Sequence, residues 1–254
     1  MATVGRVPLG SGWDADAVLV DDRWVERTAR HPAAAAGLRR EAHLLSWLAP
    51  RLPLPVPRPE IVGEEPCTAR HAVLRGEPLV APTVVHGAAL GAFLRALHAV
   101  PLDDAVRHGL PDPATTRGRR DRAFDRFDAE VLPRLADPGP VALRLGRLRT
   151  APASVLVHGD LRADHVLTDG RRISGVLDWS DARAGDPAKD LVWPLLETTT
   201  EVAAAVGEAY GTDLSARAAD WHAVGPCYAV VHGLDTDDDA LVTASLDLLA
   251  ARCA

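Results

Sequence analysis

Residues 158–167, HGDLRADHVL, place two histidines and two aspartates within ten positions. Side chains of these types can ligate a divalent metal, accept a proton from a hydroxyl, or cap a polar turn. A transition-metal cluster fits poorly. So tight a loop does not readily turn His158, Asp160, Asp164 and His165 inward together, and neither an H-E-x-x-H motif nor a Cys/His ligand spacing is present. The longer spacing is more informative. Asp160 follows the strand-like run SVLVHGD, and His165 lies five residues further on. Asp178 follows GVL near the end of HVLTDGRRISGVLDW, which reads as a hairpin turning at Asp169-Gly170. A hairpin brings its two ends together, so Asp178 should return beside the loop that carries Asp160 and His165.

The elements that must position this loop are written in the chain's patterning. DAVLV (16–20) and RWVER (23–27) are β-type runs separated by a turn at Asp21-Asp22, and a glycine-containing loop, PLGSGWD, precedes them. HPAAAAGLRREAHLLSWLAPRL predicts a helix, with Pro32 in its first turn and Leu38, Leu45 and Leu48 on one face. PLPVPRPE breaks it as an extended connector. CTARHAVLRGEPL predicts one or two strands ending at Gly76. TVVHGAALGAFLRALHAV and RRDRAFDRFDAEVLPRLA have helical spacing, and helices return from about Ala188 to the C-terminus. The expected architecture is α+β and bilobal. A small β-rich lobe over residues 1–77 and a larger, mainly helical lobe over 78–254 meet at a connector near residues 70–80.

Composition narrows the function classes. The net charge of −7 argues against a nucleic-acid partner, which requires a basic face to displace counterions. No stretch approaches the ~18 consecutive apolar residues of a membrane span. The opening MATVGRVPLG lacks a secretory leader's apolar run and cleavage site. A cytoplasmic protein, monomeric or weakly dimeric, is the expectation. Cys67, Cys227 and Cys253 form no C-x-x-C pair and are expected to be buried, inert thiols. Lys189 is the only lysine, so any chemistry that requires a lysine has a single candidate.

Three motifs stand in order: HGDLRADHVL (158–167), GVLDW (175–179) and GDPAKDL (185–191). The first two resemble the catalytic segment of protein kinases, with its catalytic-loop aspartate, a metal-holding residue five positions on, and the aspartate of the D-F-G position. All three together resemble the aminoglycoside and macrolide phosphotransferases, protein-kinase-like antibiotic kinases to which choline kinase is more distantly similar. That family shows H-G-D-x-x-x-x-N, then I-D-W or I-D-F, then G-D-P-x-x-D-L. RWVER and the helix after it, LRGEPL, and LGAFLRALHAV resemble its remaining landmarks more loosely.

The resemblance implies a bilobal protein-kinase-like fold with its hinge between Arg70 and Leu74, Mg²⁺ as cofactor, ATP or GTP as co-substrate, and a small-molecule antibiotic as acceptor. It assigns Asp160 to orient the acceptor hydroxyl and take its proton. Asp178 would bind Mg²⁺, a hard cation that prefers carboxylate oxygen. His165 stands where the family usually has asparagine. It either ligates metal directly, holds a metal-bound water, or hydrogen-bonds the loop. Arg27 stands where the family has its phosphate-binding lysine, with Glu41 on the following helix as its partner. Gly10, Ser11 and Gly12 would cover the phosphates with backbone N–H groups. His158, Asp186 and Asp190 would brace the site, and His98 would serve packing.

For the acceptor, the candidates are Trp179, Asp181 and Asp235, the last opening the acidic run DTDDD (235–239). Carboxylates would favour an aminoglycoside or another cationic antibiotic such as a basic cyclic peptide. A macrolide would want a broad apolar pocket with one anion for its amino sugar. A catalytically impaired pseudokinase and a metabolic kinase for choline, homoserine or a sugar are the competing classes.

Overall fold

The β-type runs at the N-terminus close into one antiparallel sheet in the computed structural model, which describes residues 5–11 and 14–253. β1 (Arg6–Ser11), β2 (Ala15–Val20) and β3 (Trp24–Ala29) form a meander. After α1 (Pro32–Leu48), β4 (Glu60–Glu64) and β5 (Cys67–Ala72) complete the sheet in the spatial order β1-β2-β3-β5-β4. The β2–β3 turn falls at Asp21 and Asp22, both left-handed at φ 53° and 54°, a conformation that short polar side chains tolerate.

Strand alternation then sorts the two faces of the sheet. Glu26 of β3 lies opposite Val18 and Arg70, and its carboxylate receives Arg6 Nη2 at 2.8 Å and Arg70 Nε at 3.0 Å on one face. Arg27, its neighbour, pairs with Ala17 and Ala69 on the other, beneath α1. Leu38 of α1 packs there with Cys67 and Ala69 to form a small core.

α1 starts at Pro32, where the missing N–H costs nothing, and His31 caps it by accepting the Ala34 N–H. Leu45 and Leu48 are fully buried, but in the main core of the helical lobe, so one helix serves both lobes. Full burial of such a side chain contributes about 1.5–3 kcal/mol.

The chain leaves the sheet through β6 (Glu77–Pro78), which already pairs with a strand of the second lobe. α2 (Val84–His98), α3 (Leu102–Arg107), α4 (Pro113–Arg126) and α5 (Gly139–Arg149) follow, then β7 (Val155–Val157), β8 (Val166–Thr168), β9 (Ile173–Val176) and β10 (Arg183–Gly185). α6 (Val192–Leu196), α7 (Thr200–Tyr210), α8 (Ser215–Val224), α9 (Pro226–Asp235) and α10 (Asp239–Cys253) complete the helical lobe. α2 and α7 approach so closely that a Cβ on Gly91 would collide with the Val206 carbonyl. The predicted α+β architecture is the observed one.

Four short strands build the frame that matters most. β8 pairs with β9, and β7 pairs with β10. The loop 158–165 runs from β7 to β8, and the segment 177–182 runs from β9 to β10. The two connections are therefore clamped side by side between two ladders. All three cysteines are buried and unbonded, and burial pushes the Cys227 thiol up to about 12. Among the described residues no helix is long and apolar enough to cross a membrane.

Candidate active site

β7 delivers its chain directly into His158, which is fully buried. Nε2 lies 2.7 Å from the Leu177 carbonyl and must donate to it, so Nδ1 is free to accept the Asp160 N–H at 3.3 Å. Burial holds the imidazole pKa below its ordinary value, and this tautomer requires the neutral ring. Gly159 has φ 89°, and a Cβ there would sit 2.5 Å from the Asp181 carbonyl, so only glycine passes between the two loops. Asp190, wholly buried, accepts the His158 and Gly159 N–H groups at 2.7 and 2.8 Å and meets His98 Nε2 at 3.1 Å. His98 Nδ1 meets the Tyr210 hydroxyl at 2.9 Å. Asp160 leaves this braced corner with its carboxylate about half exposed, 43%.

His165 ends a 3₁₀ turn (Ala163–His165) and is nearly buried. Its Nδ1 lies 2.7 Å from the Asp160 carbonyl oxygen, so that nitrogen carries the proton. The Nε2 lone pair is then left facing Asp178 Oδ2 at 3.6 Å, and Arg162 Nη2 approaches it at 3.4 Å. A histidine that donates one ring N–H to a carbonyl is held in the tautomer that ligates through the other nitrogen. Asp178 is left-handed, φ 56°, a strained conformation that sends its carboxylate into the cleft while Trp179 turns into the core. Burial pushes the Asp178 carboxyl up, but the Ser180 hydroxyl at 2.8 Å and the Arg27 guanidinium outweigh it and hold it below its ordinary value. Among the described residues no three His, Cys, Asp or Glu side chains converge as a metal cage. Asp178 offers the carboxylate oxygen that Mg²⁺ prefers, an ion that keeps phosphate oxygens and water in most of its positions, while His165 offers a softer nitrogen.

Across the cleft, Arg27 Nη1 donates to both oxygens of Glu41 at 2.8 and 2.9 Å. Burial pushes the Glu41 carboxyl up against the pull of that guanidinium, and Arg27 in turn acts on Asp178. The ion pair thus fixes one cation opposite the His165–Asp178 pair. Replacing Arg27 with methionine should lower kcat/KM for the nucleotide roughly tenfold to a hundredfold, the scale of one charged hydrogen bond. Initial rates at varied ATP and GTP measure this. Gly10 and Ser11 end β1 opposite Ala17 and Asp16, whereas Gly12 lies outside the described residues.

The acceptor-side expectations need two corrections. Trp179 is 2% exposed, its indole N–H donates to the Val176 carbonyl, and its ring meets His158 and Phe93 edge-on. It supports the loop from within the core and does not line the cavity beside Asp160. Asp235 lies at the end of α9, held by Arg126 at 2.7 Å, away from the cavity beside Asp160. Asp181 does line that cavity, a space of about 570 Å³ in the helical lobe. Asp186 braces it from behind, accepting Ala188 N at 3.1 Å, Arg217 Nε at 3.0 Å and the Trp221 indole N–H at 2.8 Å.

The cavity also contains side chains to which the motifs do not point. Lys189 projects its ammonium over the rings of Trp221 and Tyr228, at 5.4 and 5.2 Å from their centroids. Burial and the nearby Arg183 push its pKa down to about 8, although Asp181, Asp160 and Asp190 pull the other way. Its one signal in the sequence is that it is the only lysine, set beside Asp190 in GDPAKDL.

The chain's relatives carry the same architecture. The chain is 31% identical over 236 residues to the viomycin phosphotransferase of Streptomyces vinaceus, an alignment covering 85% of this chain and 77% of that one. The structure of the GDP and kanamycin complex of APH(2")-IIIa superposes with a TM-score of 0.83 at 23% identity, covering 98% of this chain and 92% of the other. The macrolide 2'-phosphotransferase MphH of Brachybacterium faecium superposes with a TM-score of 0.76 at 25% identity, covering 97% and 91%. A family model described as the phosphotransferase enzyme family matches residues 6–227, taking in the sheet, the clamped loops and the cavity wall as far as Cys227. On that match and that relative, the chain belongs to the phosphotransferase enzyme family.

Proposed function

We propose that the protein is a small-molecule O-kinase that transfers the γ-phosphoryl group of ATP or GTP to a hydroxyl, foremost on an antibiotic. One observation carries this reading. The Asp160 carboxylate stands between the His165–Asp178 donor pair on one side and the 570 Å³ cavity on the other.

In this reading the acceptor hydroxyl binds in the cavity and hydrogen-bonds to Asp160. As its oxygen forms the new P–O bond, the bond between the γ-phosphorus and the β–γ bridging oxygen breaks, and the nucleoside diphosphate leaves with that electron pair. Asp160 takes the hydroxyl proton. Arg27, held by Glu41, receives phosphate oxygens, and the backbone N–H groups at the end of β1, from Gly10 and Ser11, cover them. His165 Nε2 and Asp178 Oδ2 are the atoms that would hold Mg²⁺. When bound, that ion would neutralise the phosphate charge and orient its oxygens. We place the lobe boundary at residues 77/78, where β6 joins β8. The working enzyme would be a monomer or weak dimer in the cytoplasm, where both nucleotides are made.

The test is phosphate transfer from ATP or GTP with Mg²⁺ to a panel including viomycin, kanamycin and a macrolide, read as a mass gain of one phosphate on the acceptor. Product on an antibiotic is the expected result. Tight antibiotic binding with neither product nor nucleotide turnover would instead make the protein a pseudokinase, and product on choline, homoserine or a sugar would make it a metabolic kinase.

A further inference from the structure

The charge in the acceptor cavity is distributed against a polycationic substrate. Its wall contains four carboxylates, and three of them are already committed to protein partners. Asp181 pairs with Arg183 at 3.1 Å. Asp186 pairs with Arg217 at 3.0 Å and with the Trp221 indole. Glu197 takes His222 at 3.3 Å and Arg252 at 3.4 Å. The fourth is Asp160, which the transfer itself uses.

The cations are in the opposite position. Among the described residues, Arg119 and Lys189 both line the cavity and neither has a carboxylate within salt-bridge distance. Lys189 is half-buried, contacts the two aromatic faces, and makes no hydrogen bond that would satisfy its three N–H donors. Thr116 Oγ1, buried in the same wall, also has no hydrogen-bond partner. A chain of net charge −7 thus encloses a cavity whose unspent charge is positive, and it is the local field that selects a bound group.

We propose that the acceptor carries a carboxylate that docks on the Lys189 ammonium while a hydroxyl of the same molecule meets Asp160. This rests on the phosphotransferase reading and narrows its substrate class to hydroxylated acids, apart from the polyamine kanamycin named with one of the structural neighbours. A carboxylate would convert the unpaired ammonium into a charge-assisted pair inside a partly desolvated site. An amine placed there would face the same ammonium with no free anion to receive it.

Two measurements test it. In the first, hydroxyl-bearing antibiotics with a free carboxylate are compared with their methyl esters and with kanamycin and viomycin, using the parent protein, Lys189→Met and Lys189→Arg. The acid should be phosphorylated with kcat/KM about tenfold or more above its ester, the scale of a lost charge-assisted hydrogen bond. Lys189→Met should erase that difference through KM, and Lys189→Arg should restore part of it. Equal rates on acid and ester, or kanamycin turnover that Lys189→Met leaves intact, would overturn the proposal.

The second measurement needs no substitution. Protein made with lysine labelled at Cε and Nζ gives a single side-chain resonance, because Lys189 is the only lysine. Titration with benzoate should move it saturably, while benzamide should leave it in place; no displacement by benzoate counts against the docking site. Nucleotide turnover to water, recorded in parallel, reports on phosphotransfer itself. Its absence together with no product on any acceptor removes the kinase reading, while the labelled resonance still reports on the anion site.

Discussion

Asp160→Ala should cut product formation by orders of magnitude while nucleotide binding survives. Loss of a positioned general base costs about 10²–10⁴-fold in rate, and that is the expected fall in kcat. Asp160→Asn is the stricter variant, because it keeps the side chain's size and removes only the ability to accept the proton. It should fall nearly as far. The groups proposed for the nucleotide side, Arg27 with Glu41 and His165 with Asp178, keep their mutual contacts without the Asp160 carboxylate. His165 hydrogen-bonds to the Asp160 backbone carbonyl, which both variants retain. Nucleotide affinity measured by calorimetry should therefore change by less than about threefold, the range of surface substitutions that break no contact. A variant that keeps kcat within that same range would exclude Asp160 as the proton acceptor.

The parts of the site that could be read before the structure share a physical property: short-range geometry fixes them. Asp160, His165 and Asp178 come together through one hairpin, so their spacing carries most of the information. The reading of His165 sharpens in the structure. A Nδ1 hydrogen bond to the Asp160 carbonyl fixes the ring so that Nε2 lies between Asp178 Oδ2 and Arg162 Nη2, the placement on which the proposed metal role rests. Arg27 and Glu41 lie farther apart, but strand alternation and one buried helix face decide which side chains meet.

The acceptor side depends on long-range packing, and there local pattern fails. Trp179 directly follows a catalytic-looking aspartate, but the left-handed backbone at Asp178 sends the two side chains in opposite directions. An acidic run such as DTDDD looks the same whether it faces a cavity or ends a helix against Arg126. β10 has only three residues, Arg-Ala-Gly, with no periodicity of its own, and it exists because β7 offers it a ladder. The setting of Lys189 is supplied by α8 and α9, whose sequences contain no mark of the residue they enclose.

The second large effect belongs to a residue that touches no substrate. Asp190→Ala should destabilise the fold by roughly 3–5 kcal/mol, the scale of removing one member of a buried charged network. The His158 and Gly159 N–H groups and His98 Nε2 lose their acceptor at once, in a place water does not reach. A lower urea midpoint at unchanged slope is the measurement. Burial pushes the Asp190 carboxyl up, yet hydrogen bonding from His98 and the Gly159 N–H holds it below its ordinary value. A depressed carboxylate stabilises the fold at all pH above the ordinary range and loses that contribution only as pH falls through its lower folded value. The parent should consequently lose stability on acidification, and Asp190→Ala should be flatter over the same range. Asp190→Asn separates structure from catalysis. It keeps one acceptor oxygen but turns an N–H₂ toward a backbone N–H that can only donate, so it frees one of the two backbone amides. If the clamp sets the direction of the Asp160 carboxylate, Asp190→Asn should lower kcat even at temperatures where the variant is fully folded. Only a weakened scaffold, by contrast, would leave kcat intact and move the midpoint alone.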